Sequence, residues 1–209
     1  MFYMKPIYYI ILLMIFTSDL VCAEQSLQNQ QKYFVQMPSD YVLGSANAKV
    51  TFIEYSSLSC PTCAWFHNNV FSTLKKKYID TGLVKYIHRN YPLNEQAAKA
   101  AVLPICGGAK KYYLFLQSLF ETQRSWTITR NYTQVLEDIG KLGGLSHEQV
   151  MKCFNDKNIE NQIIKLRLDA HNILQINSTP TLIINGEKII GAINEKKLFD
   201  LLDQRLKDA

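Results

Sequence analysis

The sequence predicts an α/β protein: a strand, crossover helix, strand unit, then a helical block, then a closing helix, strand, strand, helix unit. Three observations predict it. Short β-branched and aromatic runs at Val50–Tyr55 and Leu83–His88 flank a helical pattern, as in a parallel strand pair. From Asn94 to Asp156 the apolar spacing is helical throughout. Strand-like residues then return at Thr181–Ile190 and are followed by an amphipathic segment. The composition fits a packed core: of 209 residues, 47% are hydrophobic and 20% charged, with nine Gly and six Pro. It excludes a disordered tail, a collagen-like repeat and a multi-span membrane protein. With 23 Lys and Arg against 18 Asp and Glu, the net charge of +5 falls short of a nucleic-acid-binding footprint, so no nucleic-acid partner is expected.

Residues 1–23 read as a secretory signal peptide: Lys5 in a short basic start, the apolar run Ile7–Phe16, and a polar stretch ending Val21-Cys22-Ala23. That run is too short for a membrane anchor, because a helix needs roughly 20 apolar residues to cross a bilayer. A lipoprotein signal at Cys22 is disfavoured by bulky Val21. Export to the periplasm is therefore expected. Residues 24–39, rich in Gln and Asn, read as a flexible leader, mobile or loosely docked. The main fold is assigned to 40–93 and 157–209, and the inserted helical domain to 94–156.

Within the first unit, Val50–Tyr55 is a buried strand. Pro61–Tyr78 is a helix, with Ala64, Trp65, Phe66, Val70, Phe71 and Leu74 at helical intervals and Lys75, Lys76 and Lys77 at its C-terminal end. Thr81-Gly82 ends it, and Leu83–His88 is the second strand. The insertion holds helices at Glu95–Ile105, Lys110–Glu121, Tyr132–Leu142 and Ser146–Phe154, the last opened by a capping box of Ser146 and Gln149. Asn158–Leu174 is a further helix. Thr181–Ile184 and Lys188–Ile190 form a hairpin around Asn185-Gly186, and Asn194–Leu206 closes the chain with Leu198, Leu201 and Leu202 inward.

Cys60-Pro61-Thr62-Cys63 lies where the first strand gives way to its helix, the setting in which a C-x-x-C pair reads as redox-active. At a helix N-terminus, unpaired backbone N–H groups and the helix dipole favour a thiolate, so the pKa of Cys60 should fall. Cys63, one turn further in, should be more buried. Cys60 would form the mixed disulfide and Cys63 would resolve it. The alternatives are a static disulfide or a zinc knuckle. A zinc knuckle lacks a second C-x-x-C, and His67, the candidate third ligand, reads as an ordinary histidine. No metal or cofactor is expected. Signal removal leaves Cys60, Cys63, Cys106 and Cys153, which allow three connectivities, and spacing favours 60 with 63 and 106 with 153. Glu54 is an acid inside an apolar strand, and the residues leave open whether it faces solvent or the interior. His88, His147 and His171 have no cysteine or acid at ligand spacing and receive no role. The sequons Asn131-Tyr-Thr and Asn177-Ser-Thr are too short a match to carry weight.

Thr179-Pro180-Thr181 directly precedes the hairpin strand. With the Cys60–Cys63 motif it makes the chain resemble the DsbA-like thiol-disulfide oxidoreductases. The resemblance runs from about Asp40 to the C-terminus and is strongest over Val50–Phe66 and Thr179–Gly191. It implies a thioredoxin fold with an inserted helical domain. It makes Pro180 a cis-proline packed on the motif, with Thr179 before it, and Pro61 and Thr62 part of the client-facing surface. It also makes Glu54 a candidate proton relay for Cys63, with a pKa raised by desolvation. An extra cysteine pair in the helical domain occurs in some members, so Cys106 and Cys153 would form a structural disulfide worth roughly 3–4 kcal/mol. The chain departs from the best-known oxidising members in carrying Pro-Thr, not Pro-His, between the cysteines.

The resemblance implies donation of disulfides to reduced, unfolded exported proteins, followed by reoxidation by a quinone-linked membrane partner. An isomerase or reductase of the same fold is the near alternative. Isomerases of this type carry an N-terminal dimerisation domain, for which 24–39 is too short, so a monomer is expected. A peptide-binding module without catalysis is the alternative from another class.

Overall fold

The computed structural model describes residues 30–208. The expected export signal and the start of the leader lie outside them. The elements are β1 (Val42–Leu43), β2 (Val50–Ser56), α1 (Pro61–Asn69), α2 (Phe71–Leu74), β3 (Val84–Asn90), α3 (Glu95–Ala100), α4 (Val102–Glu121), α5 (Gln123–Thr127), α6 (Tyr132–Leu142), α7 (His147–Phe154), α8 (Lys157–Asn172), β4 (Thr181–Ile184), β5 (Glu187–Ile190) and α9 (Glu195–Asp208). The strands form one sheet in the order β1-β3-β2-β4-β5. The β2 and β3 pair is parallel, whereas β1 on β3, β4 on β2 and β5 on β4 are antiparallel. This is the thioredoxin fold with an inserted helical domain.

Because side chains alternate along a strand, β2 serves two cores. Phe52 packs with Phe66, Phe71 and Tyr86 on one face, while Ile53 and Tyr55 pack with Ile87, Ala170 and Leu174 on the other. Glu54 and Ser56 share the Phe52 face, beneath α1. A third core joins the inserted helices to the start of α1: Leu58, Cys60, Cys63 and Ala64 lie in one cluster with Leu103, Phe115, Leu119, Phe120 and Trp126. The insertion therefore packs on the cysteine motif itself.

Several boundaries differ from the sequence reading. The helix expected over 61–78 is broken at Val70 (φ −112°, ψ −39°), and after α2 it continues as a π-helical turn, Lys75–Ile79. That wide turn is closed by the Asp80 amide donating to the Lys75 carbonyl at 2.8 Å. The break expected between 105 and 110 is instead a kink inside α4 at Gly108, with φ 64° and ψ −178°, a conformation that needs glycine. The short α5 and the two-residue β1 carry too little periodicity to be seen in the sequence. The capping box forms at α7: the Ser146 hydroxyl accepts from the Gln149 amide, and the Gln149 side chain accepts from the Ser146 amide. Asn185 and Gly186 both have positive φ in the hairpin turn, the geometry of a two-residue connection.

The sequence left the leader mobile or loosely docked. Its described part is docked, because the Arg89 guanidinium donates to the Tyr33 carbonyl at 2.5 Å and the Val35 carbonyl at 2.7 Å. The same group pairs with Asp40 through Nε (3.1 Å) and Nη2 (2.7 Å) and reaches the Tyr55 hydroxyl at 2.8 Å. Tyr33 is 4% exposed. A buried cation must be fully paired, and Arg89 finds its acceptors by holding 33–40 against the sheet.

Candidate active site

Cys60 is the N-cap of α1: its Sγ accepts from the Cys63 amide at 3.4 Å. Pro61 is acceptable at the first helical position because its missing N–H would have no intrahelical partner. The Cys60 Sγ lies 3.4 Å from the Thr179 carbonyl, to which it donates only while protonated, and the Thr179-Pro180 peptide is cis. The cis-proline loop is thus beside the motif. From the insertion, Gln123 Nε2 donates to the Leu58 carbonyl (2.6 Å) and the Cys60 carbonyl (3.0 Å), which fixes the loop entering the helix. Pro61 and Thr62 are exposed.

The two sulfurs have opposite surroundings. Cys60 is 6% exposed and Cys63 0%, and both are free thiols. Hydrogen bonding from Cys63 lowers the Cys60 pKa to about 6 against the effect of burial, with smaller help from Thr179 and the Thr62 amide. Burial drives the Cys63 pKa far above the ordinary thiol range, and the hydrogen bond to Cys60 and the charge of Glu54 push it the same way. At neutral pH the outer sulfur is a thiolate and the inner one a thiol.

Glu54 faces the interior and is fully buried. Its Oε2 accepts from the Tyr86 hydroxyl and lies 3.1 Å from His67 Nε2, while Oε1 has no hydrogen-bond partner among the described residues. The expected upward pKa shift is corrected. Desolvation does push the carboxyl up, but His67 and the Tyr86 hydroxyl together outweigh it, so Glu54 sits below its ordinary value. His67, read from sequence as an ordinary histidine, is therefore part of the site. His88, also assigned no role, is buried nearby: Nε2 lies 2.8 Å from Ser56 Oγ and Nδ1 3.1 Å from the Tyr112 hydroxyl. Burial holds its pKa down to about 3, so it is neutral. The missed signal was geometric. His67 is four residues after Cys63 on α1, and Tyr86 and His88 alternate on β3, so all three project toward Glu54.

Away from the motif, Cys106 and Cys153 form a disulfide between α4 and α7, with Cα atoms 6.2 Å apart. Among the described residues no group of three or more His, Cys, Asp or Glu side chains could hold a metal ion. Among them, too, no helix is long and apolar enough to cross a membrane.

Residues 36–204 match the family described as Thioredoxin. A Rickettsia bellii protein provisionally named a protein-disulfide oxidoreductase is 34% identical over 149 residues, covering 71% of this chain and 58% of that protein. The chain thus spans a little over half the length of the curated relatives it matches first. The crystal structure of Wolbachia pipientis alpha-DsbA1 superposes with a TM-score of 0.79 at 32% identity, covering 83% of this chain and 94% of that one. Bacillus subtilis BdbD, in its oxidised form, shares the fold with a TM-score of 0.70 at 22% identity, over 80% of this chain and 93% of that one.

Proposed function

The chain belongs to the thioredoxin family, in its DsbA-like branch, and from that premise we propose that it is an exported thiol-disulfide oxidoreductase that donates disulfides to folding client proteins. The observation that carries this is the asymmetry of the motif, an outer Cys60 held as a thiolate beside a buried, protonated Cys63. Stabilising the Cys60 thiolate stabilises the reduced enzyme, which makes its disulfide form the stronger oxidant.

In donation, a client thiolate attacks Cys60 Sγ. The Cys60–Cys63 bond breaks, and Cys63 leaves as a thiolate and takes up a proton from solvent, relayed by the Glu54 carboxylate. A second client thiolate attacks the client sulfur of the mixed disulfide, forming the client disulfide and releasing Cys60 as its stabilised thiolate. Two electrons pass from two client thiols to the enzyme disulfide. The enzyme is then reoxidised by a membrane partner linked to quinone. In that half-reaction a partner disulfide takes up Cys60, Cys63 gives its proton to Glu54 and attacks Cys60 Sγ, and the partner leaves as a dithiol. Pro61, Thr62, Thr179 and Pro180 border Cys60 and would meet the client backbone. We place the protein in the periplasm; the basic, apolar, polar order of residues 1–23 supports this, as does the Cys106–Cys153 bond, which persists in an oxidising compartment.

The test mixes oxidised protein with a reduced, unfolded two-thiol substrate and counts thiols lost by the substrate. One disulfide gained per enzyme, with no transfer by Cys60→Ser, is the expected result. Failure to oxidise the substrate, with reduction of insulin or reactivation of a scrambled substrate instead, would overturn the donor reading in favour of a reductase or isomerase.

A further inference from the structure

We propose that His67 is a positioning residue for the exchange: by anchoring Oε2 of Glu54 it leaves Oε1 as the face of the carboxylate that takes the Cys63 proton. This rests on the reading of Glu54 as the proton acceptor and adds a residue to it.

The geometry is specific. The imidazole is 1% exposed and stacks on Phe120 (centroids 4.0 Å apart, 16° between planes) and on Phe71 (4.8 Å, 29°), with Phe66 edge-on at 5.6 Å. Rings from α1, α2 and α4 therefore fix its plane, and Nε2 is directed at Glu54. An ionised carboxylate only accepts hydrogen bonds, so Nε2 carries the proton in this pair. The Tyr86 hydroxyl donates to the same oxygen from β3. Two donors on Oε2 offset the cost of burying the charge, and Cys63 and His67 lie four residues apart on α1: His67 hydrogen-bonds to Glu54, and Cys63 is near enough to feel its charge. The titratable groups around Glu54 are Cys63 and His67 from α1, Tyr86 and His88 from β3, and Tyr113 from α4, with Tyr112 behind His88; the paired strand β4 contributes Leu182 opposite it and no charge. Of these, only His67 and Tyr86 hydrogen-bond to Glu54 among the described residues.

The experiment follows the reduced full chain with 5,5′-dithiobis(2-nitrobenzoate). Cys60 thiolate attacks the reagent and releases one thionitrobenzoate. Cys63 then passes its proton to Glu54, attacks Cys60 Sγ and releases a second. The first phase reports Cys60 and the second reports proton withdrawal from Cys63. His67→Phe keeps the ring stack and removes the donor. It should slow the second phase about tenfold at neutral pH and move its pH midpoint up by about one unit, with the first phase unchanged. His67→Gln, whose amide N–H reaches the place of Nε2, should stay within about twofold of wild type. A wild-type second phase and pH midpoint in His67→Phe, alongside a slowed Glu54→Gln, would overturn the role of His67 and leave that of Glu54. A wild-type second phase in Glu54→Gln would overturn the underlying reading. Should His67→Phe fail to fold, nitrogen-15 spectra of the wild-type imidazole decide: a proton on Nε2 supports the anchor, and a proton on Nδ1 alone overturns it.

Discussion

Changing pH while the protein equilibrates with glutathione tests the thiolate at the helix mouth directly. The Cys60 pKa is lowered from 9.0 to about 6. Three units correspond to about 4 kcal/mol at full ionisation, which solvent screening at the partly open helix mouth reduces to roughly 2–3 kcal/mol. A depressed acid contributes stability that is complete above its unfolded pKa and is lost as pH falls through its folded value. At pH 7, about one unit above the folded value, the reduced form gains about 1 kcal/mol over one with an ordinary thiol, and below about pH 6 that gain disappears. The stoichiometry changes with it. Reduction takes up two protons below the Cys60 pKa and one above it, so the potential should fall by about 59 mV per pH unit below about pH 6 and by about 30 mV above. Cys63 adds no second break at neutral pH, because burial keeps its thiol protonated, and Glu54 adds none, because its partners hold it below the ordinary carboxylate range. A single slope of about 59 mV through neutral pH would refute the reasoning, since both sulfurs would then be protonated in the reduced enzyme.

Replacing Cys106 and Cys153 together by Ser should lower stability in denaturant melts by about 3–4 kcal/mol for a loop of this length, while the break in the potential near pH 6 stays in place. Arg89→Leu removes a buried cation that holds Asp40 and two leader carbonyls; it should cost about 3–5 kcal/mol and expose 30–40 to limited proteolysis. Gly143→Ala would drive a Cβ into the Phe115 ring, so melting should show a loss of about 1–3 kcal/mol.

What could be read from the residues alone was whatever local chemistry decides. The Cys60–Cys63 pair sits at a strand-to-helix junction that β-branched residues and a proline announce, and the Ser146 and Gln149 box at α7 is a purely local pattern. The sheet could be outlined for the same reason, since β2, β3 and β4 are runs of apolar β-branched and aromatic residues. Tertiary partners decided the rest. Glu54 looked like a carboxyl whose burial would raise its pKa, because the sequence gives no sign that His67, thirteen positions on, would meet it at 3.1 Å. The polar composition of the leader could not decide between mobile and docked; Arg89 from β3, which needs its carbonyls, docks the described part. The helix over 61–78 looked continuous because neither Pro nor Gly interrupts it, and its break at Val70 has no local signature.

The insertion also carries a physical burden that its distance from the cysteines in sequence hides. Without it, the start of α1 would face solvent: Leu58, Cys63 and Ala64 are covered by Leu103, Leu119, Phe120 and Trp126, and the carbonyls of Leu58 and Cys60 are held by Gln123. Covering Cys63 is what lifts its pKa, since desolvation is the largest contribution there. Phe120, on the same helix as Cys106, is one of the two rings stacked on His67. The inserted helices therefore set the difference between the two sulfurs. The outer sulfur draws its acidity from the helix it caps, and the inner one is kept protonated by side chains from 94–156. A thioredoxin core lacking that cover would still have Cys60 at a helix N-terminus, but it would lose the desolvation that stops Cys63 from ionising alongside it.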